Sequence, residues 1–311
     1  MSNPEIFVSF RLPTELTGLL DMPLDVHLGD GGPPALDAAQ RERVRAIVTN
    51  GIKGADAALI NQFPKLELIA SLGIGLDAID LETARRRGIV VTNTPGVNAD
   101  DVADLAMAML IDRLRNIRTA NRFLLDGQWN SGPFPLARSL YGKTIGIVGL
   151  GAIGRAVARR AEAHRLGIRW TGPRPKPDVP YEYVPDLVQL ARDCDVLLVS
   201  CAGGPDTRHL INAPVLAALG PEGLLINVSR GAIVDTPALI RALQSGQIAG
   251  AALDVYENQP DVPAELLLME QVLLTPHLGS ATKETRARMG AMVLKCLADY
   301  FAGRTPQHRV V

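Results

Sequence analysis

Arginine and histidine just beyond the ends of apolar runs are the residues of this chain best suited to chemistry. "NVSRGAIVD" puts Arg230 past one such run, "ALDVYENQP" puts Asp254 at the end of another with Gln259 five residues later, and "LTPHLGSAT" puts His277 at a third. A guanidinium binds a carboxylate together with a carbonyl oxygen through parallel N–H donors and polarises the carbonyl. An imidazole exchanges a proton near neutral pH, which suits a general acid or base. His27, His164, His209 and His308 lack such a setting and read as structural residues.

Residues at strand ends can meet only if a sheet aligns those ends. Short apolar runs alternate with helical patterns along the whole chain, the signature of parallel sheets covered by helices. The 311 residues suit about two domains. Strands are expected at 6–10, 45–50, 66–72 and 88–93, and again at "TIGIV", 168–172, 195–200, 223–229, 248–255 and 271–277. The six later strands fit one complete doubly wound nucleotide-binding domain. The final helix, "KETRARMGAMVLKCLADYFAG", is then left over and is expected to return to the first domain. "DDVADLAMAMLIDRLRNIRTANRFL" reads as one long helix with a core-packing stripe, and 125–142 as an aperiodic loop or arm.

"GLGAIG" follows "TIGIV" directly and opens an Ala/Arg-rich helix. In that strand–turn–helix context G-x-G-x-x-G is a dinucleotide-binding turn. Gly149 permits the tight turn, Gly151 lets the backbone approach a pyrophosphate, and Gly154 lets the helix lie close on the strand. Leu150, Ala152 and Ile153 complete the segment, whose helix N-terminus faces the phosphates. About 20 residues further on, NAD-binding folds place an acid on the ribose. Here the chain reads "WTGPRPKP", with no carboxylate between Glu162 and Asp178. Arg174 and Lys176 would attract a 2'-phosphate, so NADPH is the preferred cofactor, with NADH possible.

Thirty-two Lys and Arg balance 33 Asp and Glu, so no global field draws the chain to nucleic acid or an anionic membrane. Apolar runs fall short of the roughly 20 residues that span a bilayer. "MSNPEIFVSF" has no basic n-region or cleavage site, and Cys194, Cys201 and Cys296 lack metal-ligand spacing. The expectations are a cytoplasmic protein with reduced thiols and no metal.

Taken in order, these motifs resemble the D-isomer-specific 2-hydroxyacid dehydrogenase family over nearly the whole chain. "SLGIGLDAID" is similar to that family's substrate loop and "TPGVNADDVADLAMAML" to its interdomain helix entry. "FPLARSLYGKTIGIVGLGAIG" and "WTGPRPKP" look most like the glyoxylate/hydroxypyruvate reductase branch, which favours NADPH. The resemblance implies an α/β fold of two doubly wound parallel-sheet domains. One is a Rossmann-type cofactor domain at 99–286, with a dimerisation arm at about 99–142. The other is a discontinuous flavodoxin-like substrate domain at 1–98 and 287–311.

The implied reaction reduces a small 2-oxo acid, which needs a hydride, a proton for the developing alkoxide and a cationic anchor. Arg230 would be the anchor and His277 the general acid. The amides of Ile74 and Gly75 would hold the substrate carboxylate, and Asp254 would contact the nicotinamide carboxamide. Cys201, Thr207, Val228, Ser229, Gly279 and Ser280 would line the cofactor cleft beside Arg230 and His277. The family also implies a homodimer, for which Trp129 and Phe134 on the arm are candidate contacts. The chain departs from the family at Gln259, where a Glu normally pairs with the catalytic His. Two alternatives are a formate dehydrogenase of the same fold, which carries Gln there, and a dinucleotide-sensing binding module.

Overall fold

Parallel strands buried on both faces read as near-continuous apolar runs, and ten of the expected runs become strands. The remaining two strands among the described residues are short, of four and two residues. In the first half these elements are β1 (Glu5–Val8), β2 (Asp25–Leu28), β3 (Val44–Asn50), β4 (Leu68–Leu72) and β5 (Val90–Thr92). They form one parallel sheet in the order β2-β1-β3-β4-β5, the flavodoxin-like order. The edge strand β2 is absent from the sequence expectation because "DVHL" has only two apolar residues, too few to stand out as a run, and none of its four residues is buried. The structure is a computed structural model and describes residues 3–32 and 34–311.

Alternation along these strands divides the core. Ile6, Val8, Ala46, Val48 and Ala70 face Leu16, Leu19 and the helix Lys283–Phe301, which buries Met289, Val293 and Leu297. Phe7, Ile47, Ile69 and Val91 face Ile60 and Phe63 on the opposite side. The last helix therefore completes this unit, which comprises the chain up to Val97 and from Thr282 onward. The return falls five residues before the expected 287. Thr282 caps the helix by accepting from Thr285 N, while Thr285 Oγ1 and Arg288 Nη2 donate to Val97 O at 3.2 and 3.3 Å.

The second unit, Asn98–Ala281, contains β6 (Thr144–Val148), β7 (Gly167–Thr171), β8 (Glu182–Tyr183), β9 (Val196–Val199), β10 (Leu224–Asn227), β11 (Gly250–Leu253) and β12 (Val272–Leu274). All run parallel in the order β12-β11-β10-β9-β6-β7-β8. This is the Rossmann order with a seventh strand, one more than the six expected. The addition is β8, whose two residues are too few to show periodicity.

The expected long helix breaks at Asn116, which is left-handed at φ 52°. Ala99–Arg115 buries Val102, Ala106, Met109 and Leu110 in the core of the second unit. Ile117–Leu125 buries nothing. Of the expected arm at 99–142, the first part is thus a core element and only the remainder is peripheral.

Candidate active site

Register decides which residues meet. Val148 pairs with Val199, Val199 with Asn227, Asn227 with Leu253 and Leu253 with Leu274, so five strands end in one row. The loops carrying Gly149, Cys201, Arg230, Asp254 and His277 all leave from that row. In an open parallel sheet ligands bind outside this edge, near the point where strand order reverses, here between β6 and β9.

The phosphate turn divides its glycines among three tasks. Gly149 has φ +92°, and a Cβ there would lie 2.5 Å from Cys201 Cα. At Gly154 a Cβ would lie 2.2 Å from Gly149 O, so only glycine lets the helix Ala152–Ala163 seat on the turn. At Gly151, the N-cap of that helix, a Cβ would meet nothing within 4 Å. Packing therefore demands glycine at the first and third positions but not at the second. A bare backbone facing open space at a helix N-terminus is what a dinucleotide pyrophosphate requires, so the residues present fit that cofactor. Leu150 packs its side chain in the core, and Ala152 is exposed in the helix's first turn.

Lys176 Nζ donates to Leu150 O at 2.7 Å, which brings "WTGPRPKP" onto the turn. Arg174 is exposed beside it. Asp178, the first acid after this stretch, pairs with Arg155 in the first turn of the helix at 2.9 Å. The nearest carboxylate thus has its own cation, a pairing that spacing alone does not reveal.

Arg230 follows β10 on a turn held by Asn227. The amide of Asn227 accepts from Ser229 N at 3.0 Å and donates to Arg230 O at 2.9 Å. Arg230 Nη1 donates to Ser229 O at 2.8 Å, and Ser229 Oγ donates to Cys201 O. A Cβ at Gly231 would fall 1.9 Å from Tyr256 C, so the Arg230 turn rests directly on the 256–257 backbone. Asn227 and Gly231 were not among the expected site residues. The Asx-turn pattern, Asn three residues before Arg, was the available signal.

His277 has φ +56°, a left-handed conformation that costs a non-glycine residue roughly 1–2 kcal/mol. Asp254 holds it there. Its carboxylate accepts from Thr275 Oγ1 at 2.6 Å, Leu278 N at 2.7 Å and Gly279 N at 2.9 Å, and its backbone O accepts from His277 N at 2.9 Å. Asp254 is only 1% exposed and builds the His277 turn. Gln259 Nε2 lies 3.0 Å from His277 Nδ1. Glu257, two residues earlier, is engaged with Arg208 and His209 and does not replace the missing acid.

The remaining expected residues take quieter places. Val228 packs in the core, so only its backbone is available to a ligand, and Thr207 Oγ1 donates to Ala202 O at 2.9 Å. Burial pushes the Cys201 thiol up to about 11 and the Cys194 thiol up to about 12, so neither is a nucleophile at neutral pH. Ile74 and Gly75 belong to the other unit, on the loop after β4. There Asn93 Nδ2 donates to Ile74 O at 2.9 Å, and Thr94 Oγ1 accepts from Gly73 N at 2.9 Å.

Residues 107–279 match the model of the D-isomer specific 2-hydroxyacid dehydrogenase NAD-binding domain. The chain belongs to the D-isomer-specific 2-hydroxyacid dehydrogenase family. As a member it is an NAD(P)-dependent oxidoreductase. This dehydrogenase is 46% identical to a glyoxylate/hydroxypyruvate reductase A (HPR2) of Arabidopsis thaliana over 85% of each chain. It is also 46% identical to a hydroxyphenylpyruvate reductase of Plectranthus scutellarioides, over 86% of this chain and 85% of that one. Among solved structures, an NADPH-dependent glyoxylate/hydroxypyruvate reductase of Sinorhizobium meliloti, in complex with NADP and malonate, superposes with a TM-score of 0.95. The two are 40% identical, over 100% of this chain and 97% of that one. Within this dehydrogenase, Arg230 and the His277–Gln259 pair are the groups whose chemistry fits carbonyl reduction.

Proposed function

We propose that this dehydrogenase reduces small 2-oxo acids of the glyoxylate and hydroxypyruvate type and prefers NADPH. The observation that carries the reading is the Gln259–His277 contact at 3.0 Å, on the same strand-end row as Arg230. The names of the Arabidopsis and Sinorhizobium relatives support the substrate class. A bound reduced dinucleotide supplies the hydride, and Gly151 with the helix N-terminus holds its phosphates. Arg230 anchors the carboxylate and draws electron density from the carbonyl. His277 delivers the proton to the carbonyl oxygen from Nε2, because Gln259 occupies Nδ1. The amide of Gln259 serves either protonation state: Nε2–H donates to a bare Nδ1, and Oε1 accepts from a protonated one. The backbone amides of Ile74 and Gly75 are the proposed further holders of the substrate carboxylate.

Arg174 and Lys176 favour NADPH because both lie on the segment that Lys176 ties to the turn. The test is NADPH and NADH oxidation with glyoxylate, hydroxypyruvate, pyruvate and phenylpyruvate. Turnover fastest with glyoxylate or hydroxypyruvate and NADPH is expected. Fastest turnover with phenylpyruvate would move the enzyme toward the aromatic substrate named for the Plectranthus relative.

We further infer a homodimer formed through 117–142. Leu125, Trp129 and Tyr141 are each about 70% exposed there and Leu136 is 99% exposed, an apolar surface that suits burial against a second copy. Phe134 is half-buried against Phe123 and is a weaker contact candidate than Trp129. Light scattering at micromolar concentration should return twice the 33.3 kDa chain mass. Three thiols unpaired with one another suit a reducing compartment such as the cytoplasm.

A further inference from the structure

Glu257 Oε1 accepts from Arg208 and from His209 Nε2, the latter at 3.0 Å. Both partners lie on the segment after β9, and that segment runs along the Arg230 turn. His209 N donates to Ala232 O at 2.8 Å and Ile211 N to Ile233 O at 2.9 Å. The 256–257 backbone meanwhile abuts Gly231. Glu257 thus joins three strand-end loops, those of β9, β10 and β11, into one block.

On its other side the loop packs against the core through Tyr256 and Val262 but leaves Asn258 and Pro260 exposed. An open pocket of about 460 Å³ is lined by Tyr256, Glu257 and Asn258 together with Leu239, Ile240 and Val262. Close packing ordinarily fixes a segment's position, and this half-exposed loop is only partly packed where it borders that pocket. Polar contacts add to that packing in holding the loop. Tyr256 OH donates to Thr275 O at 2.9 Å, and burial pushes its pKa up to about 12, so it remains a donor. Tyr256 secures the start of the loop and the Asp261 N to Asn258 O hydrogen bond at 3.0 Å closes the turn around Gln259; Glu257 is the side-chain contact that ties this turn to the β9 loop.

We infer that Glu257 is a positioning residue for carbonyl reduction: held by Arg208 and His209, it keeps Gln259 against His277 Nδ1. The inference rests on the roles proposed above for that pair. Ion pairs this close to solvent add little stability, so the consequence of Glu257 lies in geometry.

The test compares Glu257→Ala, Glu257→Gln, Gln259→Ala and the Glu257→Ala/Gln259→Ala double variant in the full-length enzyme, with glyoxylate and NADPH across pH. Glu257→Ala should lower kcat by about tenfold, since small misplacements near reacting groups have effects up to that order or beyond. KM should stay within about twofold, because Glu257 does not touch substrate. The double variant should be no slower than Gln259→Ala, and the three alanine variants should share one pH profile. Glu257→Gln keeps an acceptor oxygen for both partners and should recover most of the lost rate. Wild-type kcat in Glu257→Ala, additive losses in the double variant, or Glu257→Gln as impaired as Glu257→Ala would each overturn the inference. Should Glu257→Ala fail to fold, Arg208→Ala/His209→Ala removes the same donors and is read identically. The underlying site reading fails separately, and is recognised by a His277→Ala enzyme that keeps normal turnover.

Discussion

The phosphate turn after β6 and the His277 turn after β12 leave the same edge of one sheet, yet they are built by opposite means. The first is six consecutive residues whose shape follows mainly from backbone and glycine, with Lys176 and Ser200 donating to its carbonyl oxygens. The second takes its shape from Asp254 and Gln259, both on the loop after β11, through side-chain hydrogen bonds across as many as 25 positions of sequence. A local turn tolerates change around it and fails when its own residues change. A cooperatively held turn fails when any of several distant partners is lost. Binding the dinucleotide thus depends on steric permission, and proton transfer depends on polar positioning.

The sharpest way to break this contrast is at the reacting groups. His277→Ala and Arg230→Ala should each lower kcat/KM for glyoxylate by about a thousandfold, the scale of a lost general acid or charge stabiliser. Arg230→Ala should also raise KM, whereas His277→Ala should act mainly on kcat, and steady-state kinetics with NADPH separates the two. Neither change should weaken NADPH binding measured by fluorescence titration. Equal losses of cofactor affinity would merge the two regions into one.

The turn's own division of labour gives a second test. Gly149→Ala and Gly154→Ala must fit a Cβ 2.5 and 2.2 Å from backbone atoms, so both should lower stability by about 2–4 kcal/mol in urea melts. Gly151→Ala meets open space and should leave the melt unchanged while weakening NADPH by about tenfold, near 1.4 kcal/mol. A destabilised Gly151→Ala would assign that glycine to packing.

Cofactor choice should respond more modestly. Arg174→Glu sets an acid beside the proposed 2'-phosphate position and should move the NADPH/NADH preference by about tenfold or more, with NADH constants scarcely altered. The smallest effect is expected at Gln259→Glu. A carboxylate beside Nδ1 favours the imidazolium that an amide does not, so the pKa of His277 rises and the proton-donating form persists to higher pH. The pH profile of kcat/KM for reduction should keep its plateau further into the alkaline range. A profile moved toward acid would show that residue 259 does not tune His277.

Much of this was legible in the chain as written. Apolar runs of strand length, G-x-G-x-x-G between a strand and a helix, and Arg and His at run ends are local signals, because backbone preference and burial act over a few residues. They marked ten of the twelve strands among the described residues and the turn after β6, and put Arg230 and His277 just past strand ends, where the structure has them. The two missed strands lack a strong signal of their own: β2 has only two apolar residues and β8 only two residues in all, and each pairs along an edge of its sheet. The break at Asn116 is likewise invisible in an apolar stripe that continues past it.

What only the tertiary structure decided is which side chain answers which. Sequence could name Glu257 and Gln259 as rivals for His277, since both stand within one short loop. The fold sends Glu257 to Arg208 and His209 and leaves Gln259 at Nδ1. It also turns Asp254 inward onto the His277 loop and pairs Asp178 with Arg155. Conformation along a chain is governed by neighbours in sequence, but a hydrogen bond or ion pair depends on a third of an ångström and a direction, and these arise only when separate strands fall into register.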